Sequence, residues 1–350
     1  MPASHDSFGP TSFGHTDHPS APSSPTPALH GMEPEQAIAL LGSVRASIGQ
    51  KIFGQEQVID QTLITLLAGG HGLIVGVPGL AKTRLVETLG HVLGLQTQRI
   101  QFTPDLMPSD ILGSEILDED AERKRHFRFV KGPVFTQLLM ADEINRASPR
   151  TQSALLQSMQ EHHVTIAGHT HHLPRPFHVL ATQNPVEQEG TYPLPEAQLD
   201  RFLLQIDITY PDAATERKIL LETTSHREAQ ASTVLHAGSL MAIQTLIRRM
   251  PVGEDVVTAI LDLVRHARPG EGRSEITDHL AWGPGPRAGQ ALMLAVRARA
   301  LLEGRFAPSI DDVITLARPV LQHRMALNFT ARADHVTLPM LIDRLTERLS

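Results

Sequence analysis

Ile59, Leu63, Leu66 and Leu67 stand at i, i+4, i+7 and i+8, so this stretch presents one apolar face of a helix. Leu73-Ile74-Val75 follows as a short run with no polar position. Leu85, Val86, Leu89, Val92 and Leu93 then return to helical spacing. Further strands are predicted over Arg99–Phe102, Val134–Ala141, Val179–Thr182 and Phe202–Ile208. Apolar strands alternating with helical segments predict an α/β fold, a mostly parallel sheet with helices on both faces. Phe127–Val130 and Val164–Ala167 lie near glycine and charged turns and read as hairpin arms. After Pro211 the period changes. Thr215–Glu222, Leu240–Met250, Glu254–Arg268, Ala288–Glu303 and Ile310–Arg324 are all helical in pattern, and Ser309 with Asp312 resembles a capping box. Pro211 is therefore the expected boundary between an α/β core over 35–211 and an all-helical domain over 212–350. No internal repeat of fixed period is visible.

Residues 1–34 break this pattern. They hold seven prolines, four histidines, many Ser and Thr, and no Lys or Arg. Such a segment cannot bury enough apolar surface to offset chain entropy, so a disordered tail is expected. It has neither the basic nor the apolar region of a signal peptide. No run approaches the roughly 18 apolar residues of a membrane span, so no transmembrane helix is expected. A cytoplasmic location is the expectation, with which the lack of cysteine is compatible.

Composition narrows the chemistry. Cysteine is absent, which excludes a disulfide framework, a thiolate zinc site and a cysteine nucleophile. The formal charge is −7, from 31 basic and 38 acidic residues, and does not suggest a protein that coats DNA. Only five of the basic residues are lysine, so any lysine in a motif draws notice.

One of them, Lys82, closes Gly76-Val77-Pro78-Gly79-Leu80-Ala81-Lys82-Thr83, between a strand and a helix. In that setting backbone N–H groups and the helix N-terminus cradle phosphates. Lys82 would place its charge at the β/γ-phosphates of ATP, and Thr83 would coordinate Mg²⁺. Ala81 stands where the general pattern has Gly; its methyl is tolerable if the residue is already helix-like. Asp142-Glu143 ends the apolar strand Val134–Ala141, a costly place for two carboxylates unless they hold a cation or do chemistry. Asp142 suits the Mg²⁺ shell and Glu143 a general base. Gln183-Asn184 ends another apolar strand, where an amide could orient the attacking water.

These residues, within GVPGLAKT (Gly76–Thr83), ADEINRASPRTQSALLQSMQE (Ala141–Glu161), ATQNPVEQEGTYPLPEAQLDRF (Ala181–Phe202) and GPRAGQAL (Gly285–Leu292), resemble the MoxR family of AAA+ ATPases. The similarity runs from about Gln36 to Ala326. It implies a phosphate-loop AAA+ core followed by a helical lid. It also implies that Asn184 is sensor 1, that Arg201 is the arginine projected into a neighbour's site, and that Arg287 is a lid arginine reaching the γ-phosphate of its own subunit. Planar guanidinium groups suit phosphate oxygens. Arg146 and Arg150 are rival candidates for the inter-subunit arginine. Ile52-Phe53-Gly54-Gln55 matches the family's region near the adenine, or else is only a helix-entry turn. The resemblance further implies a homo-oligomeric ring, a hexamer, with chaperone-like action on a client and a von Willebrand factor A-domain protein as partner. A metal-chelatase subunit and a nucleic-acid motor are the alternatives; the charge disfavours the motor. A nucleotide-binding scaffold without hydrolysis would have to lack the acid that Glu143 supplies. Six histidines over 162–178 leave two readings open, a metal site or an exposed hairpin.

Overall fold

The computed structural model describes residues 32–119, 125–186, 190–223, 231–271 and 274–349. The tail expected over 1–34 lies outside the described residues except for its last three. Residues 187–189 of the Ala181–Phe202 segment also lie outside them.

Helices α1 (Pro34–Gly49) and α2 (Glu56–Leu67) precede strand β1 (Gly72–Gly76). There follow α3 (Lys82–Val92), β2 (Thr97–Gln101), α4 (Pro108–Leu112), the hairpin β3 (Gly113–Glu119) and β4 (Arg125–Lys131), and β5 (Leu138–Asp142). Next come α5 (Pro149–Glu161), the hairpin β6 (His163–Ile166) and β7 (His169–His172), β8 (His178–Gln183), α6 (Glu196–Leu199) and β9 (Leu204–Ile208). The remainder is helical, α7 (Ala213–Thr223), α8 (Ala237–Arg249), α9 (Glu254–His266) and α10 (Ser274–Thr277), then β10 (Leu280–Trp282), α11 (Pro286–Leu302), α12 (Ile310–Leu321), β11 (Ala326–Leu327), α13 (Phe329–Ala333) and α14 (Leu338–Thr346). The predicted all-helical lid thus also carries a small antiparallel ribbon, β10 with β11. A three-residue and a two-residue strand are too short to leave a period in the sequence.

Five strands form a parallel sheet in the order β2-β5-β8-β1-β9. Side chains alternate across it. Ile74, Leu138, Met140, Leu180, Leu204 and Ile206 join the core built with α1, α2, α3 and the lid helices. Leu73, Leu139, Ala141, Val179 and Ala181 join a second core with Leu155, Leu156 and Met159 of α5. Both faces are therefore covered, and the lid shares its core with α1 and α2. Two strands are shorter than their apolar runs predict. Val134–Gln137 is a turn, because Gln137 and Leu138 N–H and the Thr136 hydroxyl all converge on Gln96 O. Phe202 and Leu203 lie before β9, because lid side chains occupy their carbonyls. Among the described residues no helix is long and apolar enough to cross a membrane.

Candidate active site

In a parallel sheet all strand C-termini share one edge. That edge brings together the loop after β1, Asp142 at the end of β5 and Glu143 directly after it, Asn184 after β8, and Gln101 of β2. A Cβ on Gly76 would fall 2.9 Å from Ile208 O, so close packing against β9 requires glycine there. Gly79 has φ 86°. Ala81 has φ 54° and ψ 24°, left-handed rather than the right-handed helical geometry expected for it. The chain must reverse sharply to start α3, and an L residue there costs about 1–2 kcal/mol.

The donor set suits a polyphosphate. α3 has no side-chain cap and no acidic residue in its first turn, so no carboxylate of that turn offsets the positive end of its dipole. Lys82 Nζ donates to Gly76 O at 2.6 Å, across the mouth of the loop. Asp142 is 8% exposed; its Oδ1 accepts the Thr182 hydroxyl and its Oδ2 accepts Arg99 Nη2, both at 2.5 Å. Each carboxylate oxygen has a second lone pair for the water shell of a cation, and half-exposed Arg99 also donates to Gln101 Oε1 at 3.0 Å. Thr83 is half-buried one residue into the helix.

Glu143 also holds a left-handed backbone, φ 55° and ψ 50°, which its N–H bond to Thr182 Oγ1 at 2.8 Å fixes. Its Oε2 accepts Gln101 Nε2 at 2.7 Å and Arg146 Nη1 at 3.0 Å. Arg146, a rival inter-subunit arginine, thus pairs within its own chain; Arg150 is exposed in the first turn of α5. Asn184 is 3% exposed and accepts Val186 N–H at 3.1 Å. In the segment matched to the adenine region, Gly54 has φ 66° and packs against Thr215 of α7. Lys218 Nζ lies 4.6 Å from the Phe53 ring centroid, and Gln55 Oε1 is buried without a partner.

Arg201 and Arg287 lie elsewhere. Arg201 precedes β9, so it is at the opposite edge of the sheet, with Nη1 donating to Leu156 O at 2.6 Å. Arg287 Nη1 lies 3.7 Å from Asp200 Oδ2. Both arginines line one cavity of about 280 Å³ with Gly69, Gly70 and His71 at the start of β1. A five-residue strand of roughly 16 Å separates that cavity from the phosphate loop. The own-subunit reach expected of Arg287 is therefore not what the structure presents. α11 docks beside Asp200, and the lid core joins α2 and β9, which holds this arginine at the far edge.

The histidine segment contributes to packing. His163 faces His172 across the hairpin, with ring centroids 6.1 Å apart, and His171 stacks on Phe129 of β4 at 4.0 Å. Among the described residues no group of three metal-binding side chains forms. Sequence reasoning missed Thr182, Arg99 and Gln101. Thr182 sits at a strand tip directly before Gln183-Asn184, which was a usable signal; the other two carry none.

Comparison with known proteins agrees with an α/β core followed by a lid. Residues 71–204 match the ATPase family associated with various cellular activities (AAA), and residues 273–344 match the AAA lid domain. Chaperone MoxR1 of Mycobacterium tuberculosis is 42% identical over 301 residues, 85% of this chain and 79% of that protein. Protein MoxR of Methylorubrum extorquens is 31% identical over 80% of this chain and 85% of its own length. A crystal structure of a candidate ATPase from Cytophaga hutchinsonii, 36% identical, superposes with a TM-score of 0.81 over 90% of this chain and 96% of that one. The chain belongs to the MoxR family of AAA+ ATPases, and its activity is ATP hydrolysis.

Proposed function

We propose that the chain hydrolyses Mg-bound ATP as a subunit of a homo-oligomeric ring, a hexamer, with its ATPase core over 35–211 and its lid over 212–350. The observation that carries this reading is the meeting of the phosphate loop, Asp142-Glu143 and Asn184 at one sheet edge. Backbone N–H groups of Gly76–Thr83 and the Lys82 ammonium bind the phosphates. Thr83 and Asp142 hold the Mg²⁺, which supplies charge neutralisation for the phosphate oxygens. Glu143 takes the proton of the attacking water, and Asn184 orients that water. Arg201 acts on a neighbour's phosphates, where an arginine stabilises transition-state charge; its place at the edge opposite its own phosphate loop supports this reading. Arg287, beside it, works at the same interface. Ile52–Gln55 flanks the adenine. Turnover drives chaperone-like remodelling or maturation of a client, including metal or cofactor insertion, together with a von Willebrand factor A-domain partner.

Nucleotide binding and turnover in two variants test the assignment. Lys82→Ala is expected to lose ATP binding, whereas Glu143→Gln should bind ATP and lose at least about 100-fold in kcat. Unimpaired turnover in Glu143→Gln would remove that residue as the base. Co-purification with ATP-trapped Glu143→Gln protein identifies the client.

A further inference from the structure

The segment Asp200–Leu203, which carries Arg201, is gripped from the lid by one buried side chain. Arg324, 2% exposed, lies just beyond α12. Its Nε donates to Asp200 Oδ1 at 2.7 Å. Nη1 donates to Leu203 O at 3.1 Å and Val320 O at 2.6 Å. Nη2 donates to Phe202 O at 2.6 Å and Asp200 O at 3.4 Å. All five guanidinium donors are thereby used, four of them on residues 200–203. His323 Nε2 adds a bond to Phe202 O at 3.0 Å, and Gln322 Nε2 one to Gln205 O at 3.1 Å.

Asp200 is shared. One oxygen meets buried Arg324, and the other faces half-exposed Arg287. Burying a charge is expensive, and a well-packed apolar residue would serve stability as well or better. A planar five-donor fork offers something else, a fixed orientation for the backbone around Arg201 and for the carboxylate that faces Arg287.

We propose that Arg324 is the positioning residue of this arginine pair. Through Asp200 and the carbonyls of 200–203 it makes Arg201, Arg287 and the lid one unit, so that lid movement in one subunit reaches the nucleotide of the next. The inference rests on the reading that Arg201 acts across the interface.

Arg324→Lys tests it, since an ammonium keeps the charge but cannot span the carboxylate and the carbonyls together. Asp200→Asn, of equal shape, is the companion variant in case Arg324→Lys melts early. For either, KM for ATP is expected to stay at the wild-type value, because the phosphate loop is at the other edge, while kcat falls by about 10–100-fold. Mixed with Glu143→Gln subunits, each variant should regain turnover above both parents. Its own catalytic edge is intact, and the neighbour supplies a correctly held arginine. An Arg201→Ala and Glu143→Gln mixture run alongside separates the two layers. No rescue in that control means the shared site itself is wrong. Rescue there, with wild-type kcat or unrescued loss in both Arg324→Lys and Asp200→Asn, overturns the positioning role alone.

Discussion

The hydroxyl of Thr182 serves two groups at once. It donates to Asp142 Oδ1 and accepts the N–H of Glu143, a residue held in a left-handed conformation. Strain of this kind persists only where surrounding structure over-determines it. Thr182→Val keeps the shape and removes both bonds. It is expected to cost about 1–3 kcal/mol of stability in a denaturant titration, since a part-buried N–H is left unpaired. Turnover is expected to drop about tenfold, as for other residues that orient a cation's ligand. Wild-type kcat in this variant would reduce Thr182 to a packing role. The sequence displays Asp142, Glu143 and Asn184 as polar tips on apolar strands. It does not display Thr182 as the link between Asp142 and Glu143, because that depends on β8 lying beside β5.

Two helices of similar length begin in opposite ways. α12 is closed at its N-terminus; the fully buried Asp312 carboxylate accepts Ser309 N–H at 2.8 Å and also pairs with Arg299 and Arg305. Burial alone would raise Asp312, but the hydrogen bonds from Arg305 and Ser309 outweigh it and hold the carboxyl below its ordinary range. α3 has no such closure, and its open end is the one proposed to cradle the phosphates. Asp312→Asn should leave two arginines facing a neutral group and cost about 3 kcal/mol, the low end for a broken buried pair because both arginines keep solvent access. A chemical denaturation midpoint equal to wild type would contradict this. The Ser309–Asp312 spacing is legible from sequence; the arginines that make it an ion-pair centre are not, since Arg299 comes from α11 and Arg305 from the connection beyond it.

At the scale of the molecule, three buried histidines stitch the sheet to its surroundings. His71 bonds Met159 O and Val179 N–H, His178 bonds Gly70 O and Gln244, and His323 bonds Phe202 O. Burial, aided by nearby His178, lowers His71 to about 3. Burial lowers His178 to about 4, and burial with neighbouring Arg324 takes His323 well below its ordinary value. Each native pKa lies under its unfolded value near 6.5, so the unfolded chain binds more protons between the two. Stability is thus full above about pH 6.5 and declines as pH falls toward 4, by about 1.4 kcal/mol per histidine per pH unit. Unfolding at pH 5.5 should take up about two to three protons, measured by calorimetry in buffers of different ionisation enthalpy. An uptake near zero would show that these rings are already charged in the native state.

Local order along the chain was enough for the sheet strands, the helical second half and the phosphate loop with its acidic partner. Those features rest on periodicity and on backbone chemistry within a few residues, both carried by neighbours in sequence. Where Arg201 and Arg287 lie relative to the phosphate loop was not legible. Gly285–Leu292 marks Arg287 as a lid arginine, yet its reach depends on where α11 docks, and α11 docks on a core shared with α1, α2 and β9. Arg324 shows no motif at all. Its contacts arise because α12 ends beside a segment more than a hundred residues earlier, where a buried fork of five donors finds its acceptors.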